Sequence, residues 1–315
     1  MSADFPVLDL AAFAAGDPAT RARIGAEVDR TCRETGFLAV GNHGVSEQVI
    51  ADLWACLTAF FDQPQPAKEA LRPGPGQPYG YLGTGTEALA KSRGEDTPPD
   101  LKESFNGGPL RTPEGEADPQ ALAFCYAPTP WPDTPGFRAA WSAYYTAMED
   151  LAARIMQVMA VALHLPEDHF APFIDAPVSA LRALNYPAQA RAPEVGQQRA
   201  GAHTDYGSLT ILLPEPGSRG LEILTPEGTW RAVPPVEGAF VINIGDLMTL
   251  WTGGAWVSTL HRVVVPPEAA TRRRMSLAFF HQPNWHARIT PLSGGEAAAV
   301  TSGPYLMAKF SAANS

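Results

Sequence analysis

The chain has 315 residues, 45% of them hydrophobic and 18% charged, with 28 glycines and 31 prolines. That is enough apolar material for a real core and too ordered a composition for a low-complexity chain, so the glycines and prolines read as turns between short strands. A formal net charge of −10 argues against non-specific nucleic-acid binding, and no run of about 18 apolar residues offers a membrane span.

The three cysteines, Cys32, Cys56 and Cys125, are odd in number and widely spaced. They read as free thiols in a reducing compartment, neither a disulfide frame nor a zinc knuckle. No basic region followed by an apolar run opens the chain, so the cytoplasm is the expected location.

In chain order, residues 5–10 read as a short edge strand led by Pro6. Residues 19–35 carry Ile24, Val28 and Thr31/Cys32 on one helical stripe, with Gly36 as the stop. Residues 37–40 form a strand and 41–44 a turn, in which His43 is expected to bond its own backbone and not a metal. Ser46 stands where it caps a second helix, with the stripe Val49/Ile50, Leu53, Leu57 and Phe60/Phe61.

Residues 71–133 are rich in Gly and Pro and weakly periodic, which predicts a long loop, with residues 100–106 a strand or turn leading back to the core. Within it Tyr79, Tyr81, Thr84, Thr86 and Glu87 mix aromatics with hydrogen-bonding groups, as a substrate-facing loop does; an ordinary surface loop is the equal alternative. Thr134-Pro135 then caps and opens a long helix over 135–164. Its stripe of Trp141, Met148, Leu151 and Ile155 suits packing against a sheet and offers no recognition.

After residue 178 the texture changes to short apolar runs at 180–186, 202–213, 221–224, 230–233, 239–244, 248–251, 257–265, 274–281 and 286–289. Short strands at this spacing predict a sandwich or jelly roll, with the helical first half on one outer face. No internal repeat divides the chain. One domain over 1–315 is expected, with a helical region at 1–178, a jelly-roll core at 179–289 and a C-terminal segment at 290–315.

The chemistry concentrates in three places. His203-Thr204-Asp205 opens an apolar, β-branched run, and residues i and i+2 of a strand share a face, so an imidazole and a carboxylate are expected to project together. His261 is the lone histidine of the run at 257–265 and supplies a third ligand from a facing strand. Two histidines and one carboxylate make the facial triad of mononuclear non-haem Fe(II) oxygenases. Finally, alternation over 274–281 puts Arg274, Ser276, Ala278 and Phe280 on one face. An inward arginine is costly without a partner, and its guanidinium forks onto a carboxylate, so this strand looks built to hold a small acid whose other end reaches the metal.

His203-Xaa-Asp205, His261 and Arg274-Xaa-Ser276, in that order, resemble the Fe(II)- and 2-oxoglutarate-dependent oxygenases of the isopenicillin N synthase-like family. Residues 5–9, 36–44, 79–81, 102–105 and 280–284 resemble other segments of the same family, so the likeness spans nearly the whole chain. It implies a mainly β fold, a double-stranded β-helix or distorted jelly roll, with a helical N-terminal part. It also implies an iron held by His203, Asp205 and His261, and 2-oxoglutarate held by Arg274 and Ser276. The strand before the first histidine commonly adds a tyrosine and an asparagine, a place taken here by Tyr186 and Asn185. Many members carry two adjacent aromatics before the proline, whereas here Tyr186 alone precedes Pro187. Arg182 shares a face with Leu184 and Tyr186 and is placed to meet an anionic group of the prime substrate; a surface arginine is the equal alternative.

The implied activity uses O2 to convert 2-oxoglutarate to succinate and CO2 while a small-molecule substrate is hydroxylated, desaturated or cyclised. Tyr79, Tyr81, Glu87, Arg182, Tyr206 and Phe280 are the candidates to line the substrate pocket, and a monomer is expected. Three alternatives share the motif: an oxidase of the isopenicillin N synthase type that uses no 2-oxoglutarate, an ethylene-forming variant, and a binding protein without turnover.

Overall fold

The computed structural model describes residues 5–90, 97–188, 196–265, 272–294 and 298–313. The chain opens with strand β1 (Val7–Asp9) and helices α1 (Leu10–Ala15) and α2 (Pro18–Glu34). Asp17 caps α2 through Thr20 N at 2.8 Å, and Pro18 fits the first turn, where no N–H is needed. Gly36 ends the unit with φ +63°, and a Cβ there would overlap the Val257 carbonyl, so the stop is steric as well as conformational.

Strand β2 (Phe37–Gly41) and helices α3 (Glu47–Phe61) and α4 (Gln65–Glu69) follow. Ser46 occupies the N-cap of α3, but its side chain makes no capping bond. His43 Nδ1 accepts from Val45 N at 3.0 Å, the turn role expected of it.

The stretch predicted as mostly loop contains β3 (Gly80–Leu82), β4 (Glu103–Gly107), where the sequence predicts a strand or turn over 100–106, and α5 (Pro119–Ala123). Its strands are short and buried, so they show neither helical nor alternating period to a sequence reading. Helix α6 (Phe137–Ala162) begins two residues later than expected, with Gly136 at φ +76° as its N-cap in place of Thr134. Its stripe is buried as predicted, and Tyr145 packs edge-on against Phe279 at 5.2 Å between ring centroids.

The second half supplies β5 (Ala180–Tyr186), β6 (Ala200–His203), β7 (Leu209–Pro214), β8 (Leu221–Leu224), β9 (Trp230–Ala232), β10 (Phe240–Ile244), α7 (Asp246–Trp251), β11 (His261–Val263), β12 (Arg274–His281), β13 (Arg288–Ile289), β14 (Val300–Thr301) and α8 (Ser302–Ala313). Two expectations change here. The run at 248–251 lies in a helix, with Leu247, Met248 and Trp251 buried at helical spacing; a four-residue apolar run carries too little period to separate the two states. The run at 202–213 is two strands belonging to two different sheets.

One sheet has the order β1-β2-β10-β7-β12-β5-β4-β3, a second β6-β11-β8-β9, and β13 pairs with β14 as a third. On β12 the alternation is strict. Met275, Leu277 and Phe279 enter the main core with the helices, while Arg274, Ser276, Ala278 and Phe280 line a cavity on the opposite face. Each large apolar side chain so buried contributes about 1.5–3 kcal/mol. The jelly roll is thus backed by helices on one face and hollow on the other.

His281 ends β12 on the helix-facing side, buried, with Nδ1 3.1 Å from Ser179 Oγ. Burial pushes its pKa down to about 4. The unfolded chain then binds a proton that the folded chain refuses, so stability falls as pH drops from about 6.5 towards 4. The full loss is on the order of 3 kcal/mol. His281→Gln should lose less stability than the wild type between pH 7 and pH 4.5 in urea unfolding; parallel losses would assign the acid sensitivity to other groups.

Candidate metal and cosubstrate site

His203 is the last residue of β6 and His261 the first of β11, and the two are direct antiparallel partners. The pairing sets their rings 4.4 Å apart between centroids. Asp205 is not on the strand. It lies in the segment after β6, so it joins the pair because the chain turns there and not through strand alternation. That segment is held by Asp246 N donating to Asp205 O at 2.8 Å. It crosses the start of α7 so closely that a Cβ on Gly245 would strike the Gly207 backbone.

Hydrogen bonds decide which atoms remain free. His203 Nδ1 bonds Gly201 O at 2.7 Å and His261 Nδ1 bonds Thr259 O at 3.0 Å, which puts the proton on Nδ1 and leaves each Nε2 lone pair inward. Asp205 Oδ2 accepts from Thr210 Oγ1 at 2.5 Å and Asn243 Nδ2 at 2.7 Å. Its Oδ1 stands 3.8 Å from each Nε2. The three ligand atoms lie within 4.8 Å of one another, the only such grouping of three or more His, Cys, Asp or Glu among the described residues. Burial, then the neighbouring His261, holds His203 neutral, well below the ordinary histidine range. Burial alone would raise the Asp205 carboxyl, but His261 and His203, with the bonds from Asn243 and Thr210, outweigh it and keep it ionised. Two imidazoles, each bonded through Nδ1 to a backbone carbonyl, and one carboxylate facing one point suit a divalent first-row metal.

Across the cavity, Arg274 is 4% exposed. Its Nε has no partner, Nη1 reaches only Ser276 Oγ at 3.4 Å, and no ion pair of Arg274 to an acid is found among the described residues. The guanidinium lies 4.9 Å over the ring of Tyr186, its register partner on β5. A buried cation in this state fits an incoming carboxylate.

Tyr79, Arg182, Tyr186, Tyr206 and Phe280 line the same cavity. Three predicted site residues, Asn185, Tyr81 and Glu87, do not. Asn185 sits between Leu184 and Tyr186, so it faces the helices, where Nδ2 donates to Glu103 at 2.6 Å and Oδ1 accepts from Arg273 Nε at 2.7 Å. Leu184 takes the cavity position; with one aromatic before Pro187, the asparagine falls on the wrong parity. Tyr81 is fully buried on that same far face, its hydroxyl on Glu103, which also pairs with Lys68 at 2.7 Å. Glu87 stands behind Arg182, bonded to its Nη2 and 3.7 Å from Lys102.

Other lining groups escaped the sequence reading. Asn243, which supports Asp205, is the one polar residue of the buried strand Phe240–Ile244, and that contrast was a usable signal. Helix α8 brings Leu306 and Phe310 to the cavity, while Lys309 bonds Asp246 at 2.9 Å. The spacing of Tyr305, Leu306, Lys309 and Phe310 is helical and was equally readable.

Residues 5–134 match the family described as non-haem dioxygenase in morphine synthesis N-terminal, and residues 178–283 the 2OG-Fe(II) oxygenase superfamily. A 2-oxoglutarate-dependent dioxygenase, tropC of Talaromyces stipitatus, is 34% identical over 306 residues, covering 93% of this chain and 91% of that protein. The chain belongs to the 2OG-Fe(II) oxygenases. Among solved structures, a full-length Neurospora crassa protein in complex with alpha-KG and thymine superposes with a TM-score of 0.83 at 27% identity, over 98% of this chain and 96% of that one. JOX2 in complex with 2OG, Fe and JA gives a TM-score of 0.71 at 28% identity, over 91% and 77%. The oxygenase therefore has the jelly-roll fold and uses Fe(II) and 2-oxoglutarate. Among the described residues no helix is long and apolar enough to cross a membrane.

Proposed function

We propose that His203 Nε2, Asp205 Oδ1 and His261 Nε2 hold the Fe(II) of this oxygenase, and that Arg274, Ser276 and Tyr186 hold 2-oxoglutarate by its far carboxylate. The observation that carries the reading is the pair of unmet needs on opposite walls of one cavity: three convergent free ligand atoms, and a buried guanidinium with no acid partner among the described residues. Bound iron supplies the oxygen chemistry. The chain supplies orientation, fixed histidine tautomers and a largely apolar chamber. Tyr206, Phe280 and Arg182 border the space left for the prime substrate, closed by Leu306 and Phe310. The names of similar proteins span chemically distinct ligands, so none is carried over as the substrate. The 2-oxoglutarate-independent oxidase gains no support from relatives named for 2-oxoglutarate dependence.

We also propose one domain over 1–315 acting as a cytoplasmic monomer without nucleic-acid partners. The free cysteines and the net charge of −10 support this reading. Oxygen uptake and succinate formation with Fe(II), with and without 2-oxoglutarate, test the activity; uptake that ignores 2-oxoglutarate would sink the cosubstrate assignment. Asn243→Ala should weaken Fe(II) binding by about 10–100-fold, since groups that orient a ligand carry that much. Competition with a metal chelator measures it, and an unchanged affinity would separate Asp205 from the metal.

A further inference from the structure

Strand register builds a second recognition point in the cavity. Asn106 on β4 pairs with Arg182 on β5, Arg182 pairs with Ala278 on β12, and Ala278 pairs with Leu212 on β7. All four side chains line the cavity. This rung is polar at one end and apolar at the other. It lies four residues from Arg274 along β12, about 13 Å at strand rise, and so is separate from the carboxylate end.

Both polar members have an unmet need. Asn106 is 9% exposed, and its Nδ2 makes one long bond to Pro78 O at 3.4 Å. Its Oδ1 has no partner among the described residues. Arg182 spends Nη2 on Glu87 and on Ser104 Oγ at 2.9 Å, while its buried Nε has no acceptor among the described residues. A donor and an acceptor therefore stand unsatisfied on adjacent strands, a costly arrangement unless a ligand completes it.

Charge decides what kind of ligand. Glu87 already pairs with Arg182, and Lys102 is taken by Asp100 at 2.5 Å with Glu87 3.7 Å away. Two cations and two anions leave the rung without net charge. An anionic substrate group at Arg182 would meet the Glu87 carboxylate directly behind it. The anionic group expected from sequence is thus disfavoured, because Arg182 has its counter-ion within the protein. The complement of an N–H beside a carbonyl oxygen is a carbonyl beside an N–H. Phe280, one inward position beyond Ala278, offers an aromatic face, and Phe124, Leu306 and Phe310 keep the surroundings apolar.

We propose that Asn106 and Arg182 read a neutral amide edge, a lactam or carboxamide, on a flat and otherwise apolar prime substrate, with Phe280 against its face. The proposal rests on the cavity being the active site and names the substrate class for it. Sites that hydrogen-bond a ligand edge reject analogues that lack it, because their own polar groups are then left bare.

The test is anaerobic equilibrium dialysis of the Fe(II)- and 2-oxoglutarate-loaded protein with 2-pyridone, benzoate and toluene. The neutral lactam should bind about 10–100-fold more tightly than either of the others. Asn106→Leu should reduce that preference to about threefold or less, and Arg182→Met should do the same; the first leaves the Glu87 pair intact should the second fail to fold. Tighter binding of benzoate, equal binding of all three, no binding of any at millimolar concentration, or a preference that survives in Asn106→Leu would each overturn the proposal. Failure of 2-oxoglutarate itself to bind the wild-type protein is read separately, and would overturn the cosubstrate reading together with this one.

Discussion

Asp205→Ala is expected to remove iron binding and turnover together. Loss of a ligand should exceed the 10–100-fold that changes in its supporting groups reach, so the iron affinity should fall by more than about 100-fold. His261→Ala should do the same from the opposite strand. The fold should survive the aspartate change. Thr210 Oγ1 and Asn243 Nδ2 lose an acceptor, at about 1–3 kcal/mol each, but a buried carboxylate is removed with them. Iron content after dialysis and thermal unfolding of the same samples separate the two effects. Retention of stoichiometric iron by folded Asp205→Ala would falsify the ligand assignment.

Arg274→Ala carries the second large effect. Removing a desolvated charged contact costs roughly 2–5 kcal/mol, which is a rise of about thirty-fold or more in the KM for 2-oxoglutarate. Iron should still bind, because Arg274 touches none of the three ligands in the hydrogen-bond geometry described. Arg274→Lys should recover only part of the loss, since an ammonium cannot fork onto a carboxylate while lying flat over Tyr186. Steady-state kinetics with varied 2-oxoglutarate decide it. A KM that does not move in a folded variant would return Arg274 to a structural role.

How legible the site was in the sequence depended on which kind of rule was asked. The ligand types at His203, Asp205 and His261 were readable because the chemistry demands them, yet the reason offered for Asp205 was wrong. It shares no strand with His203; a turn and the Asp246 N–H place it. For Arg274 and Ser276, alternation within one long strand did suffice, and both line the cavity as read. Alternation also applied to Asn185 and Tyr186, which cannot both face inward. The family's tyrosine and asparagine on this strand point to both, but this chain lacks the second aromatic that many members carry before the proline, and Asn185 lies on the helix side with Glu103 and Arg273. Tyr81 failed for a related reason: in a stretch taken for loop, no strand parity was available to say that it points away from the cavity.

By itself the sequence determined the edge strand at the N-terminus, helices α2, α3 and α6, most strands of the roll, and the residues able to bind iron and a carboxylate. These depend on local period, turn chemistry and side-chain type, all of which are written within a few residues of one another. Only the tertiary structure decided that residues 202–213 divide between two sheets, that residues 248–251 coil into α7, and that α8 contributes Leu306 and Phe310 to the cavity wall. It also chose the partners that set protonation and charge: Asn243 for Asp205, Glu87 for Arg182, Glu103 for Asn185. A period of two says that alternate residues share a face, but not which face looks inward. That choice belongs to strands and side chains tens of residues away, whose contacts form only when the chain is folded.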